Sequence, residues 1–238
     1  MKAFLSVTKR FLSEIWSDTM LAVLPFVPIF MGIVFRFGVP ALENYLCDRL
    51  GKAMILTPYY FVFDLLLSIM TPLMFTAAGA MVILDESDLG LARAIAVTPV
   101  GRNGYLLSRI GVPAIISTVY CVIITLIFRL SDIGTLRLLL LALCSGVLSI
   151  TAALMIVAMA KNKVEGMAYT KLTGLLVAGL PVVLLVPSPY IYIAAFLPTF
   201  WMTEIAVGES LWLVILALLS AALLSALFIR RFLKKVLN

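Results

Sequence analysis

The sequence predicts an all-α, polytopic membrane protein. It should have six transmembrane helices, an N-terminal amphipathic interfacial helix, a cytoplasmic coupling helix and an outer re-entrant segment before the last span. Of the 238 residues, 63% are hydrophobic and 13% are charged, against roughly 45–50% and about 25% in soluble domains. The 18 basic and 12 acidic residues are too few to cover a soluble core of this size. Because the apolar runs are continuous and do not alternate, they exclude a transmembrane β-barrel.

The composition argues against metal-based or histidine-based chemistry. No histidine is present, which removes the commonest acid–base residue and a usual zinc ligand. Cys47, Cys121 and Cys144 are widely separated and suggest neither a disulfide framework nor a metal cluster. The sequence therefore predicts no catalytic, cofactor-binding or metal-binding residues, and a protein that is not itself an enzyme.

Residues 2–17 precede the first apolar run and predict an amphipathic helix. Phe11 and Ile15 fall on one half of a helical wheel, and Lys9 and Arg10 fall on the other. Such a helix is suited to lie in the cytoplasmic membrane interface. Two interpretations stay open: an anchor that sets the tilt of the first span, or a mechanical elbow that senses a cytoplasmic partner.

Six apolar runs are predicted to cross the bilayer within one domain that covers residues 1–238. A spanning helix needs about 20 predominantly apolar residues. Since lipid offers no water to unpaired backbone groups, such runs should be helical. The predicted spans are 20–37, 58–84, 105–128, 136–160, 172–186 and 211–229.

The basic residues orient this bundle. An even number of spans places both termini on one side, and 13 of the 18 basic residues lie on that side. The positive-inside rule makes it the cytoplasmic side. The expected location is the inner (cell) membrane of a prokaryote. The net charge of +6 is therefore explained by the orientation of the chain in the membrane. Nothing resembles a basic patch with interleaved aromatic residues, so no nucleic-acid partner is predicted.

The loop between the second and third spans predicts a short cytoplasmic helix over residues 85–97. Asp85, Glu86 and Asp88 stand where acids favour a helix N-terminus, and Pro99 ends the segment. A helix of two to three turns is too short to cross the membrane. Spacing alone leaves two alternatives, a simple connector or a rigid knob that a soluble motor pushes.

The stretch from 85 to 110, DESDLGLARAIAVTPVGRNGYLLSRI, resembles the pattern that follows the second span in permease subunits of the ABC-2 type, or type V ATP-binding-cassette exporter, family. Residues 163–166 and 197–201 resemble the same family, and the nearest branch is the fluoroquinolone-export permease. The resemblance covers nearly the whole chain. One departure is that the family often has Glu followed by basic residues where this chain has Asp-Glu-Ser-Asp, which changes the polarity of the docking surface.

The resemblance implies a half-transporter that exports an amphipathic small molecule or lipid-like compound from the cytoplasm or inner leaflet. Two permease subunits, identical or related, would pair within membrane lipid and dock on two ABC ATPase subunits. ATP and Mg would bind to the ATPase, because this chain has no G-x-x-x-x-G-K-[ST] loop. The alternatives are an ion-coupled secondary transporter and a non-catalytic membrane scaffold. The implied ATPase-coupling residues are Asp85, Glu86, Asp88, Leu89, Gly90, Arg93, Thr98 and Pro99, with a second cytoplasmic contact at Lys163, Glu165 and Gly166.

Residues 187–210 contain no Lys or Arg and are too apolar for a solvated loop. The resemblance makes them a re-entrant pair of short helices that gates the pathway; the alternative is an interfacial hairpin that anchors the last span. Asp64 lies well inside a span, where a charge is costly, and is a candidate pathway group. Its alternatives are a pair with Arg36 and a position near the outer headgroups. The predicted pathway or gate residues are Asp64, Phe196, Pro198, Phe200 and Trp201.

Overall fold

The computed structural model describes residues 2–98, 100–187, 190–208 and 210–237. These residues form helices joined by short turns, and they contain no strand. Six of the helices are long and apolar enough to cross a membrane. The predicted fold class, an all-α polytopic membrane protein, is confirmed. In chain order the helices are α1 (Lys2–Ser17), α2 (Thr19–Leu50), α3 (Thr57–Asp88), α4 (Leu91–Ala96), α5 (Gly101–Phe128), α6 (Thr135–Met159), α7 (Lys163–Leu185), α8 (Pro198–Val207) and α9 (Leu213–Leu237).

Helices α3 and α6 form the centre of the bundle. Within their most apolar windows 78% and 72% of the residues are buried, against 17% in both α2 and α9. Small polar side chains join the central helices: the hydroxyl oxygens of Ser68 and Ser145 lie 3.3 Å apart. The hydroxyls of Thr151 and Ser225 lie 2.8 Å apart and join α6 to α9. Small residues at these contacts let the helix backbones approach closely.

Helix α2 continues beyond its predicted end at residue 37. A proline ring clashes with the carbonyl four residues earlier, and a wide π-helical turn over Val34–Gly38 precedes Pro40 and accommodates it. The helix stops only at Gly51, which adopts a left-handed conformation with φ of 63°. At about 1.5 Å per residue its 32 residues extend about 48 Å, which exceeds a hydrocarbon core of about 30 Å.

The loop helix is shorter than predicted. Residues 85–88 form the last turn of α3, and α4 begins at Leu91. Gly90 separates the two helices with φ of 70°, and its N–H donates to the Ser87 carbonyl oxygen at 3.1 Å. The acids that were expected to start the loop helix therefore end the second span.

Helix α7 begins earlier than predicted, at Lys163. Its first two turns are polar, and the side chain of Asn162 caps them by accepting a hydrogen bond from the Glu165 N–H at 2.9 Å. The charged residues of these turns fall outside an apolar run, which is why the sequence places the start of the span at residue 172.

The outer segment contains a 3₁₀ turn, Tyr190–Ala194, followed by α8. Helix α8 packs closely on α7 at Gly179, where an added Cβ would lie 2.3 Å from the Phe200 nitrogen. The Thr199 hydroxyl donates to the Leu176 carbonyl oxygen at 2.5 Å across the same contact. These two short helical pieces are fixed against the bundle; Ser188, Pro189 and Glu209 of this segment lie outside the described residues.

Candidate functional site

The predicted coupling residues lie at one end of the bundle, together with both ends of the described chain. We call it the terminal end; it contains the end of α3 and the start of α5 and α7. Helix α1 packs here, and near the C-terminus Lys235 donates to the Val157 carbonyl oxygen at 2.9 Å, close to the end of α6. The opposite end, with the loop between α2 and α3 and the loop between α5 and α6, is the far end.

A buried cluster links three helices at the terminal end. Glu86 at the end of α3 accepts hydrogen bonds from Arg109 of α5, one of them from Nε at 2.9 Å and the other from Nη2. The Tyr105 hydroxyl donates to the same carboxylate at 2.9 Å, and Arg109 Nη1 donates to the Val7 carbonyl oxygen of α1 at 2.9 Å. The guanidinium also lies 4.8 Å from the centre of the Phe11 ring. Glu86, Tyr105, Arg109, Val7 and Phe11 are the buried cluster.

The buried cluster gives Glu86 a structural role. Glu86 is 3% exposed and Arg109 is 1% exposed, and the Glu86 carboxylate is already bound by Arg109 and Tyr105. Its predicted role in ATPase coupling stays a prediction. The sequence gives one indication of this cluster: Tyr105 and Arg109 lie four residues apart, which places both side chains on one face of α5. Neither Tyr105 nor Arg109 was among the predicted site residues.

A second cluster lies nearer the surface. The Lys163 ammonium group donates to Asp18 Oδ2 at 2.8 Å and to Asp85 Oδ2 at 2.6 Å. Asp18 also caps α2, because its side chain accepts the Met20 N–H at 3.0 Å. The hydrogen bond from Lys163 holds the pKa of the Asp18 carboxyl below its usual value, with burial acting in the opposite direction. Asp18, Asp85 and Lys163 are the surface cluster; it brings together residues from the two predicted contacts.

Glu165 and Gly166, predicted for the second cytoplasmic contact, have local structural partners. The Glu165 carboxylate accepts the Lys161 N–H at 2.8 Å. An added Cβ on Gly166 would lie 2.4 Å from Leu84 Cδ1 and 3.1 Å from Met81 Sδ. Gly166 therefore allows α7 to pack closely on α3.

The turns on both sides of α4 are exposed. Leu89 is 73% exposed and Val97 is 87% exposed, whereas Ala92 anchors α4 in the core. Asp88, Gly90 and Thr98 are exposed with them. We call Asp88, Leu89, Gly90, Val97 and Thr98 the exposed turns. For Arg93 only the backbone is described, and Pro99 lies outside the described residues.

A cleft of about 420 Å³ opens between α1 and the end of α3. Acidic side chains dominate its polar lining, with Asp18, Asp85 and Glu14 among them. One oxygen of Glu14 accepts from Arg10 Nε at 3.0 Å. Its other oxygen is buried and has no partner among the described residues. The acid-lined cleft therefore offers acceptors to a basic group.

At the far end, Asp64 holds the loop between α5 and α6. It is 2% exposed, and its carboxylate accepts the N–H groups of Leu130 at 2.9 Å and Ser131 at 2.8 Å. Arg36 donates to the Arg129 carbonyl oxygen, and the predicted alternative of an Asp64–Arg36 pair is not formed among the described contacts. The pathway role of Asp64 stays a prediction.

Glu43 holds the loop between α2 and α3 in the same way that Asp64 holds the loop between α5 and α6. Glu43 was not identified from the sequence. Its carboxylate accepts the N–H groups of Ile55 at 2.8 Å and Leu56 at 2.6 Å, and the Thr57 hydroxyl at 3.1 Å. The signal was an acid on the helical continuation of the first span. This acid can be recognised as a helix-borne group that holds the loop only when the first span is known to extend past residue 37.

The predicted gate residues separate into two groups. Pro198 and Phe200 are buried, and Trp201 stacks edge-on against Phe200 with ring centres 4.9 Å apart. Its indole N–H donates to the Ala195 carbonyl oxygen at 2.7 Å. Phe196 is 63% exposed and lines an apolar groove of about 570 Å³ beside α9.

The fold defines a multi-pass helical membrane protein. At its terminal end, two exposed turns lie near two clusters of charged residues. A family model described as "Fluoroquinolones export permease protein Rv2686c-like" matches residues 11–232, and the chain belongs to this family. The predicted resemblance to the fluoroquinolone-export permease branch is thereby confirmed.

Two relatives are named Fluoroquinolones export permease protein MT2760, from Mycobacterium tuberculosis strain CDC 1551 / Oshkosh, and Fluoroquinolones export permease protein Rv2686c, from strain ATCC 25618 / H37Rv. Each is 27% identical to this chain over 168 residues, which cover 70% of the chain. The match spans 66% of the length of each relative. No solved structure matches the chain significantly.

Proposed function

We propose that the chain is the permease subunit of an ATP-driven exporter of the ABC-2 type. It would move an amphipathic small molecule or lipid-like compound out of the cytoplasm or inner leaflet, with the terminal end on the cytoplasmic side. The observation that carries this proposal is the pair of exposed turns. Leu89 and Val97 are the apolar residues they present, and exposed apolar side chains at a polar end favour a protein contact.

The ATPase would dock on the exposed turns and on the acid-lined cleft. Leu89 and Val97 supply apolar contact area, and the second Glu14 oxygen, which has no partner among the described residues, would accept from a basic side chain of the partner. This polarity agrees with the departure of the Asp-Glu-Ser-Asp stretch from the family pattern. ATP and Mg would bind to the ATPase subunit.

The buried cluster would carry the movement onward. Helix α4 is joined to α3 by Gly90 and is anchored by Ala92. Glu86, in the last turn of α3, is tied through Arg109 to α5 and to the α1 backbone. A push on α4 would therefore reach α5 and the interfacial helix through contacts that are already formed.

The proposed substrate class is based on the family resemblance, which implies an amphipathic small molecule or lipid-like compound. The relatives are named for export of fluoroquinolones. We propose this class of substrate for the chain, with Phe196, Pro198, Phe200 and Trp201 as gate residues and Asp64 as a pathway group. Two permease subunits, identical or related, would enclose the pathway, with two ATPase subunits beneath them.

An ion-coupled secondary transporter is less well supported. Such a protein needs ionisable groups inside the membrane that change their charge during transport. In the described part of the chain, the buried acids Glu43 and Glu86 accept hydrogen bonds that hold a loop or a neighbouring helix in place. These contacts favour structural roles.

The experiment is co-purification with a candidate ABC ATPase subunit that is co-expressed with this chain, together with the ATPase activity of the complex. Leu89→Asp combined with Val97→Asp should lower ATPase recovery about tenfold or more, because buried charges would oppose an apolar contact. Met54→Asp is the matched control: it is an exposed apolar residue in the far-end loop and should leave recovery unchanged. Equal recovery with the double variant and the control would contradict the proposed docking surface.

A further inference from the structure

A polar cleft of about 510 Å³ lies at the far end, between α2 and the loop that follows α5. Unlike the apolar grooves on the sides of the bundle, most of its lining is polar. Two arginines contribute to it from separate elements. The residues that line it are Arg36, Leu126, Ile127, Arg129, Leu130, Ser131, Asp132 and Thr135.

Both guanidinium groups have unused donors. Arg36 Nη1 donates to the Arg129 carbonyl oxygen, and Arg129 Nη1 lies 3.5 Å from the Ile133 carbonyl oxygen. Neither has a carboxylate within ion-pair distance among the described residues. A guanidinium has five N–H donors, so most of them remain open to an acceptor. Asp132 is the acid in the lining, so the lining carries one more positive than negative charge. The buried Asp64 carboxylate lies close enough to Arg129 to interact with its charge.

The surrounding structure fixes both arginines in place. Arg36 lies in the π-helical turn Val34–Gly38 of α2, and Arg129 is the first residue after α5. The next two residues, Leu130 and Ser131, are held by the buried Asp64 carboxylate through their N–H groups. The position of Arg129 is thus set by a buried acid on α3 and does not depend on a free loop.

The apolar neighbours of the cleft indicate the kind of ligand. Leu126 and Ile127, on the last turn of α5, are 43% and 61% exposed. Both line the cleft, at the end of a helix that is apolar enough to span a membrane. Apolar surface beside cationic groups at a helix end suits an amphipathic ligand at the membrane interface.

We propose that this cleft binds the phosphate group of a phospholipid headgroup from the leaflet at the far end. Arg36 and Arg129 would donate charge-assisted hydrogen bonds to the phosphate oxygens, for which the planar guanidinium group is well suited. The acyl chains would extend along Leu126 and Ile127. This inference concerns the far end and stands independently of the ATPase-coupling proposal.

The test uses the full-length chain, purified in detergent, delipidated and then mixed with phosphatidylglycerol. Native mass spectrometry measures the fraction of protein that keeps a bound lipid. The combined change Arg36→Gln and Arg129→Gln should lower this fraction about tenfold or more, because two charge-assisted contacts are lost. Arg49→Gln is the control, since Arg49 is an exposed far-end arginine that stacks on Tyr45 at 5.5 Å and does not line the cleft.

Two further arms keep the result interpretable. Arg129→Lys, which retains the charge but not the planar fork, should give an intermediate loss, and a thermal unfolding scan of each variant identifies any misfolded protein. Lipid retention in the Gln double variant equal to that of the unchanged chain would overturn the proposal. Displacement of the lipid by millimolar inorganic phosphate would overturn the lipid assignment and would mark a site for free anions.

Discussion

Removing the charge of Glu86 should destabilise the whole terminal end. In Glu86→Gln the side chain keeps its shape and still has one acceptor oxygen, but the buried Arg109 guanidinium loses its counter-charge. Breaking one partner of a buried ion pair costs about 3–5 kcal/mol. Because Arg109 is 1% exposed and cannot turn to water without moving α5, we expect a free energy of unfolding lower by that amount.

The measurement is reversible unfolding by SDS in mixed micelles, followed by the change in helical content. Asp88→Asn is the matched control: it changes an exposed acid on the same helix, two residues away, and should alter the free energy of unfolding by less than about 0.5 kcal/mol. The double variant Glu86→Met with Arg109→Met should be more stable than either single change, because no buried charge is then unpaired. Equal stability for Glu86→Gln and Asp88→Asn would refute the assignment of Glu86 to the buried cluster.

Three further changes test the packing and the charges. Gly166→Leu should destabilise the chain by about 1–3 kcal/mol through overpacking against α3. Gly174→Leu is the control and should be far milder, because an added Cβ at Gly174 meets no atom within 4 Å. Thermal unfolding compares the two variants. Asp18→Asn should cost up to about 1 kcal/mol at pH 7, because its contact with Lys163 is partly exposed. The pKa of Asp18 is lowered in the folded chain. The stabilisation from Asp18 is therefore present above the usual pKa of an aspartate and is lost as the pH falls through the lower pKa of the folded state. At acidic pH the variant and the unchanged chain should unfold alike, and a difference that persisted there would contradict the ion-pair role. Asp64→Asn should lower the free energy of unfolding by about 1–3 kcal/mol, because the far-end loop loses an acceptor for its N–H groups. A loss of transport with unchanged stability would instead place Asp64 in the pathway.

The fold followed from the sequence because bilayer thickness and backbone hydrogen bonding leave few choices for long apolar runs. The helix ends were harder to predict. A search for apolar runs stops at the first charges, yet Lys163 and Glu165 lie inside the first turns of α7. Pro40 suggests a helix end in sequence, but a π turn lets α2 continue.

The site was predicted less completely, for a related reason. Asp85, Glu86 and Asp88 look alike in the sequence, and only the fold separates them: one belongs to the surface cluster, one is buried, and one is exposed. Asp85 and Glu86 both bind a basic side chain from another helix, Lys163 and Arg109 respectively, but only Glu86 is buried. Arg109 is 23 residues from Glu86 along the chain, and the charge pattern does not reveal such a pairing.

The buried acids have different partners at the two ends of the bundle, and this difference bears on the proposed mechanism. At the far end, Glu43 and Asp64 accept backbone N–H groups of neighbouring loops, which fixes each loop to the helix that carries the acid. At the terminal end, Glu86 binds the side chains of Arg109 and Tyr105, which joins one helix to another. In the proposed exporter, a displacement of α4 would therefore be passed between helices at the terminal end, while Asp64 keeps the loop between α5 and α6 attached to α3. Movement at the far end would then have to come from tilting of whole helices, and the distortions next to Pro40 in α2 and Pro113 in α5 are two places where such helices could bend.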